Sequence, residues 1–227
     1  MAISIVGTIV AGSAINGGDV ALTLPTTIAR DDIVYIWGGH FTRAATSVGP
    51  STSGYTSVLS VSPNNQTFAV YRKQMGASPD ATVTGVGTGN AADATAYAAI
   101  VLRGVDAASP EDATPVSAYA TSADPDPPWI TSVTGNAWVL ALAASIVNDA
   151  AVTAPSGYSG LIGANGNDTN PCSAYGAYLA LGVPTPENPG AFGSWASGQW
   201  VAATVAVRPS PMSRADVAAT YRPDKYL

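Results

Sequence analysis

Apolar residues in this chain come in short runs, and Gly, Pro, Asn and Asp stand between the runs. That punctuation predicts strands joined by turns. The stretch 199–209 shows it best. Trp200, Ala202, Thr204 and Ala206 fall on one side of an extended strand, and Val201, Ala203, Val205 and Val207 fall on the other. Further strands are expected at 3–10, 19–24, 55–61, 67–73, 81–86, 129–133, 137–147 and 173–181. Ile33-Val34-Tyr35-Ile36-Trp37 is too short and too β-branched for a helix, and Gly38-Gly39 is expected to end it. The alanines of 95–105 leave a helix open. Gly104 and the polar residues 106–114 end the run early and favour a strand. Residues 62–66 read as a hairpin turn, and 156–170 and 183–190 as loops. The total is about ten to twelve strands, hence two stacked sheets in an all-β fold.

Asp124-Pro125-Asp126-Pro127-Pro128 is stiff and extended, because each proline fixes φ and disfavours helix in the residue before it. A domain boundary here would leave each half poor in bulky apolar residues. The segment 121–129 therefore reads as a crossover inside one body spanning 1–207, with an arm at 208–227. Ser213 followed by Asp216 resembles a capping box with Asp in place of Glu, so a turn or two of helix is expected at 215–221, stopped by Pro223.

Composition sharpens this picture. Hydrophobic residues make up 47% of the 227 and charged residues 11%. A polar but nearly uncharged surface suits packing against copies of the same chain, as well as a low-charge soluble domain. The net charge of −6 argues against a nucleic-acid partner. Charge is unevenly spread: 1–207 carries five Lys/Arg against thirteen Asp/Glu, while 208–227 carries Arg208, Arg214, Arg222 and Lys225 against two acids. The tail can dock on a neighbour's acidic body or remain solvated; both readings are open. Arg208, Arg214, Tyr221, Arg222, Lys225 and Tyr226 are the candidate residues of such an arm. The first ten residues lack the basic start of a secretory signal, and no run approaches the roughly 20 apolar residues of a membrane helix, so no membrane partner is expected.

Chemistry is sparse. His40 is the sole histidine and Cys172 the sole cysteine, too few for a Ser-His or Cys-His nucleophile with a free choice of base, and too few for a structural zinc centre. His40 reads as a strand-end residue facing solvent or capping a turn, and Cys172 as a small buried hydrophobe. The acid pairs Asp31-Asp32, Glu111-Asp112 and Asp124/Asp126 are sequence neighbours in loops, which does not set two carboxylates across a sugar cleft. Residues 165–170 look oxygen-rich but lack EF-hand spacing, and an Asn/Gly turn explains them equally well. No enzyme, cofactor or metal is expected. Tyr158, beside Pro155-Ser156-Gly157, and Trp195 are candidate contacts for a glycan or a partner; the other reading of the tryptophans is core packing.

Three segments carry a resemblance: Ile100-Val101-Leu102-Arg103-Gly104-Val105-Asp106 with Pro110 following, Val152-Thr153-Ala154-Pro155-Ser156-Gly157-Tyr158, and 197–209. Together they resemble a jelly-roll-like β-sandwich common among phage virion proteins. The resemblance implies a jelly-roll-like body with a short extended or helical C-terminal arm. It also implies a non-enzymatic homo-oligomer in a phage or phage-like particle, as head decoration, spike or tail part beside other particle proteins. A carbohydrate-binding module recognising a cell-surface glycan is the alternative.

Overall fold

The computed structural model describes residues 2–41 and 48–211, and none of these is helical. The first half supplies β1 (Ser4–Ile5), β2 (Val10–Ala14), β3 (Val20–Thr23), β4 (Ile33–Phe41), β5 (Thr56–Val61), β6 (Gln66–Gln74), β7 (Thr82–Gly85) and β8 (Thr95–Arg103). The second supplies β9 (Val116–Ser122), β10 (Ile130–Thr131), β11 (Trp138–Ser145), β12 (Ser159–Gly166), β13 (Cys172–Ala180), β14 (Pro186–Glu187) and β15 (Gly198–Val207). All pairings between these strands are antiparallel.

Two sheets pack face to face. One has the order β1-β8-β4-β6-β5 with β2 also on β8, and the other has the order β12-β13-β11-β15-β9. Alternation along each strand builds the core between them. Ile33, Tyr35 and Trp37 of β4 with Ala98, Ile100 and Leu102 of β8 meet Leu140 and Leu142 of β11 and Val201, Val205 and Val207 of β15. The outward faces are apolar too, and both are covered. The β3–β7 ribbon lays Val20, Leu22 and Val83 on Val34, Ile36, Tyr97 and Val101. The β10–β14 ribbon and its loops lay Ile130, Tyr158, Phe192 and Trp195 on Val139, Ala141, Ala202 and Ala206. The result is a four-layer sandwich, which is why the central strands are apolar on both faces rather than alternating.

The two halves follow one strand plan. In the first, the order is β2-β8-β4-β6-β5 with β3 on β7; in the second, it is β9-β15-β11-β13-β12 with β10 on β14. Strand by strand, β2 to β8 correspond to β9 to β15. The registers agree: Ile33 opens β4 opposite Leu102, and Trp138 opens β11 opposite Val207. The first hairpin strand of each half is irregular at the same place, between Ser57 and Leu59 and between Ser159 and Ile162. Pro50-Ser51-Thr52-Ser53-Gly54-Tyr55 and Pro155-Ser156-Gly157-Tyr158 lead into those strands, with Gly54 at φ 85° and Gly157 at φ 84°, a left-handed backbone that glycine adopts without strain.

Several expectations need correction. Gly38-Gly39 does not end β4; both glycines stay paired to β6 and β8, and Gly38 is small because the Tyr97 ring lies where its Cβ would project. The stretch 3–10 is not one strand but parts of β1 and β2, interrupted at Gly7. Most of the expected loop 156–170 is β12, and 116–122, not expected to be extended, is β9. The chain crosses between sheets at 104–115, whereas 123–129 leads from β9 to the outer ribbon. A jelly roll interleaves its strands between two sheets; this chain completes one sheet before starting the other. The expected arm helix at 215–221 lies outside the described residues.

Candidate functional site

The two sheets are not stacked evenly. On one side β12 closes onto β2 and β8, with the Ser13 hydroxyl donating to the Asn165 carbonyl at 3.0 Å and the Asn16 N–H donating to Asp168 Oδ2 at 2.8 Å. On the other side the edge strands β5 and β9 stand apart. At the foot of this open side lies a groove of about 440 Å³ bordered by Val58, Arg72, Glu111, Asp112, Thr114 and Arg208.

Charges in the groove have opposite partners. Arg72 Nε lies 2.7 Å from Glu111 Oε1, which also accepts from the Tyr35 hydroxyl at 3.1 Å. Burial first, and then the Glu111 carboxylate, raise the Tyr35 hydroxyl well above the ordinary tyrosine pKa. Asp112 accepts from Val133 N–H at 2.6 Å, Thr134 N–H at 3.0 Å, the Thr134 hydroxyl at 2.6 Å and Arg208 Nε at 3.2 Å. Burial pushes the Asp112 carboxyl up, but these donors outweigh it and hold the group below the usual carboxylate range. Glu111 and Asp112 thus serve as acceptors that tie the intersheet connection to both sheets.

Arg208, expected to begin the arm, belongs to this cluster. Its N–H donates to the Pro110 carbonyl at 2.8 Å and its carbonyl accepts from Asp106 N–H at 2.9 Å. Arg214, Tyr221, Arg222, Lys225 and Tyr226 lie outside the described residues. Tyr158 and Trp195 are not at the groove. Tyr158 is buried, donating its hydroxyl to Glu187 Oε1 at 3.3 Å. Trp195 is buried, its indole N–H donating to the Ser145 hydroxyl at 2.7 Å and its ring edge-on to Tyr175 and Phe192. Neither ring offers an open face on which a sugar can stack.

Exposed apolar side chains sit elsewhere. Trp129, Val133 and Val183 are 64%, 60% and 67% exposed on the β10–β14 ribbon and its flanks, and Tyr119 of β9 is 63% exposed. The core reading of the tryptophans fails for Trp129; the alternation Trp129, Thr131, Val133 around the buried Ile130 is the sequence signal for this exposed side. Two other candidates are structural. Asp168, in the oxygen-rich loop, is occupied by the N–H groups of Asn16 and Thr169. Among the described residues, no three of His, Cys, Asp and Glu gather closely enough to hold a metal ion. His40 does not face solvent as expected: it is fully buried in β4, because β4 continues past it. Comparison with protein families, with curated proteins and with solved structures finds no match to this chain.

Proposed function

We propose that this protein is a non-enzymatic structural subunit of a phage or phage-like particle, assembling with copies of itself on the head or tail. The observation that carries the reading is the set of solvent-facing apolar side chains flanking the two strands of the outer ribbon: Trp129, Val133 and Val183. A chain only 11% charged that still exposes such side chains is suited to burying them against a neighbour. The resemblance of 100–106, 152–158 and 197–209 to virion sandwiches, which lies in these segments and not in the order of the strands, is the ground for naming a phage particle. The basic tail residues Arg214, Arg222 and Lys225 supply a second contact with an acidic neighbouring body.

Light scattering on the purified protein tests the first half of this reading, and co-sedimentation with particles tests the second. Oligomers that enter particles are the expected result, with incorporation reduced when 212–227 are removed. A monomer absent from particles overturns the proposal. The glycan alternative retains one foothold, the exposed indole of Trp129 beside Pro127 and Pro128. Glycan-array binding abolished by Trp129→Ala is the result that favours it.

A further inference from the structure

We infer that β9 is a self-pairing edge: two copies of the chain join their second sheets through antiparallel β9–β9 contact centred on Tyr119. The inference rests on the self-assembly proposed above and names the contact.

An edge strand exposes a row of backbone donors and acceptors, and proteins ordinarily blunt it with charge, proline, a bulge or a covering element. The edges of the two sheets differ in this respect. β5 and β12 each carry a register irregularity. β2, the counterpart of β9 in the first half, lies under the end of β12, bonded through Ser13 and Asn16 to Asn165 and Asp168. β9 has none of these protections. Its sequence, Val-Ser-Ala-Tyr-Ala-Thr-Ser, has no charge and no proline, and its register with β15 runs unbroken from Val116 opposite Thr204 to Ser122 opposite Gly198. Among the described residues nothing pairs with its other side.

The strand itself argues for a second copy as the occupant. Ser117-Ala118-Tyr119-Ala120-Thr121 is close to a palindrome. Antiparallel self-pairing about Tyr119 therefore sets Ala118 against Ala120, Ser117 against Thr121 and Tyr119 against Tyr119. Small faces small, hydroxyl faces hydroxyl, and no like charges meet. Tyr119 shares the face of Val201, its neighbour across the ladder, so it points to the inner side of the sheet. There β5 stands off and leaves it exposed, and the two rings of a pair would fill this uncovered space. A two-fold pairing of this kind is isologous and closes on itself, giving a dimer as the building unit.

The test uses full-length Tyr119→Lys and Tyr119→Glu chains in sedimentation velocity, with circular dichroism as the check on folding. The side chain is exposed, so both variants are expected to fold as the parent does. Each alone places like charges across the dyad and should lose at least about tenfold in association constant. Mixing the two should restore the dimer. Tyr119→Cys should also form a cross-linked dimer on oxidation, since Cys172 is buried. If the charged variants associate as strongly as the parent, the β9 contact is wrong while self-assembly stands. A parent chain that is monomeric across the micromolar range overturns both. Dimerisation seen only after removal of 212–227 overturns the second copy as occupant and makes the tail the cover.

Discussion

Arg103 and Arg208 stand at the same station in two copies of one strand plan, each immediately after the residue that pairs with the opening of its half's central strand. Each grips a buried aspartate. Arg103 Nε and Nη2 donate to Asp32 at 2.8 Å, and Arg208 Nε donates to Asp112 at 3.2 Å. Each aspartate in turn accepts a backbone N–H from the turn before that central strand: Ala29 for Asp32, and Thr134 for Asp112. The clamp recurs although its acid comes from different places. Asp32 lies within the turn it braces, whereas Asp112 comes from the connection between the sheets, so the second clamp ties three segments together.

Asp112→Ala should therefore cost about 3 kcal/mol, since it strands the Val133 and Thr134 N–H groups and leaves Arg208 half-buried without its partner. Urea unfolding measures this, with the exposed Asp126→Ala as a control within about 0.5 kcal/mol of the parent. The sign with pH follows from the depressed carboxyl. The stabilisation from Asp112 is present above the ordinary aspartate pKa and is lost as pH falls through the lower folded value. Equal stability of D112A and parent at neutral pH would refute the clamp.

His40 acts in the same acid range by a different cause. Burial holds its imidazole down to about 4, with the Asp93 carboxylate pulling weakly the other way, and neither ring nitrogen has a hydrogen-bond partner. The folded chain keeps His40 neutral, while the unfolded chain takes up a proton below the ordinary histidine pKa. Its contribution is thus complete above pH 6.5 and falls by about 3 kcal/mol as pH drops through 4. His40→Leu should hold or raise stability at pH 7, because no hydrogen bond is lost, and should flatten the slope between pH 4 and 6.5. An unchanged slope in H40L would assign the acid sensitivity elsewhere.

How much of this was readable from the chain depends on burial. β4, β8, β11, β13 and β15 stood out because both their faces are covered, which forces near-continuous apolar runs. β9 and β12 did not, being edges rich in Ser, Gly, Ala and Thr; only Val116 of β9 and Leu161 and Ile162 of β12 bring a bulky aliphatic side chain to a core. The duplication is faint in the sequence, because packing preserves which face a residue takes rather than which residue it is. Trp37 corresponds to Leu142, and His40 to Ser145. The shared Pro-Ser…Gly-Tyr lead-ins and the paired Arg103 and Arg208 were the visible trace. Trp195 and Tyr158 looked like loop aromatics because sequence does not show that these loops fold back over the outer face of a sheet.

Cys172 offers a probe of global opening. It is fully buried, its thiol donates to the Gly39 carbonyl at 3.1 Å, and burial pushes its pKa up to about 12. Thiolate is the reactive form, so the native chain should not react with a disulfide reagent, and labelling should appear only as the protein unfolds. The labelling rate in increasing urea should follow the unfolding curve read by tryptophan fluorescence. Rapid labelling of native protein would place the thiol at the surface.

Gly38 and Ala143 are counterparts in the two halves, and only the second position has room for a methyl group. A Cβ at Gly38 would sit 2.2 Å from Tyr97 Cδ1 and 2.4 Å from the Ala96 carbonyl oxygen. Tyr97 is slow to yield, since its hydroxyl donates to Val86 O at 3.0 Å and accepts from Gly49 N–H at 3.2 Å. Gly38→Ala should cost about 3 kcal/mol, at the upper end for overpacking, whereas Ala143→Gly should cost about 1 kcal/mol. Placing Gly38→Ala in a Tyr97→Leu background isolates the ring's share. Part of the penalty should vanish, and the remainder belongs to the Ala96 backbone, which no side-chain change relieves. A double-mutant cycle with no coupling would show that the clash is taken up by the strand rather than by Tyr97.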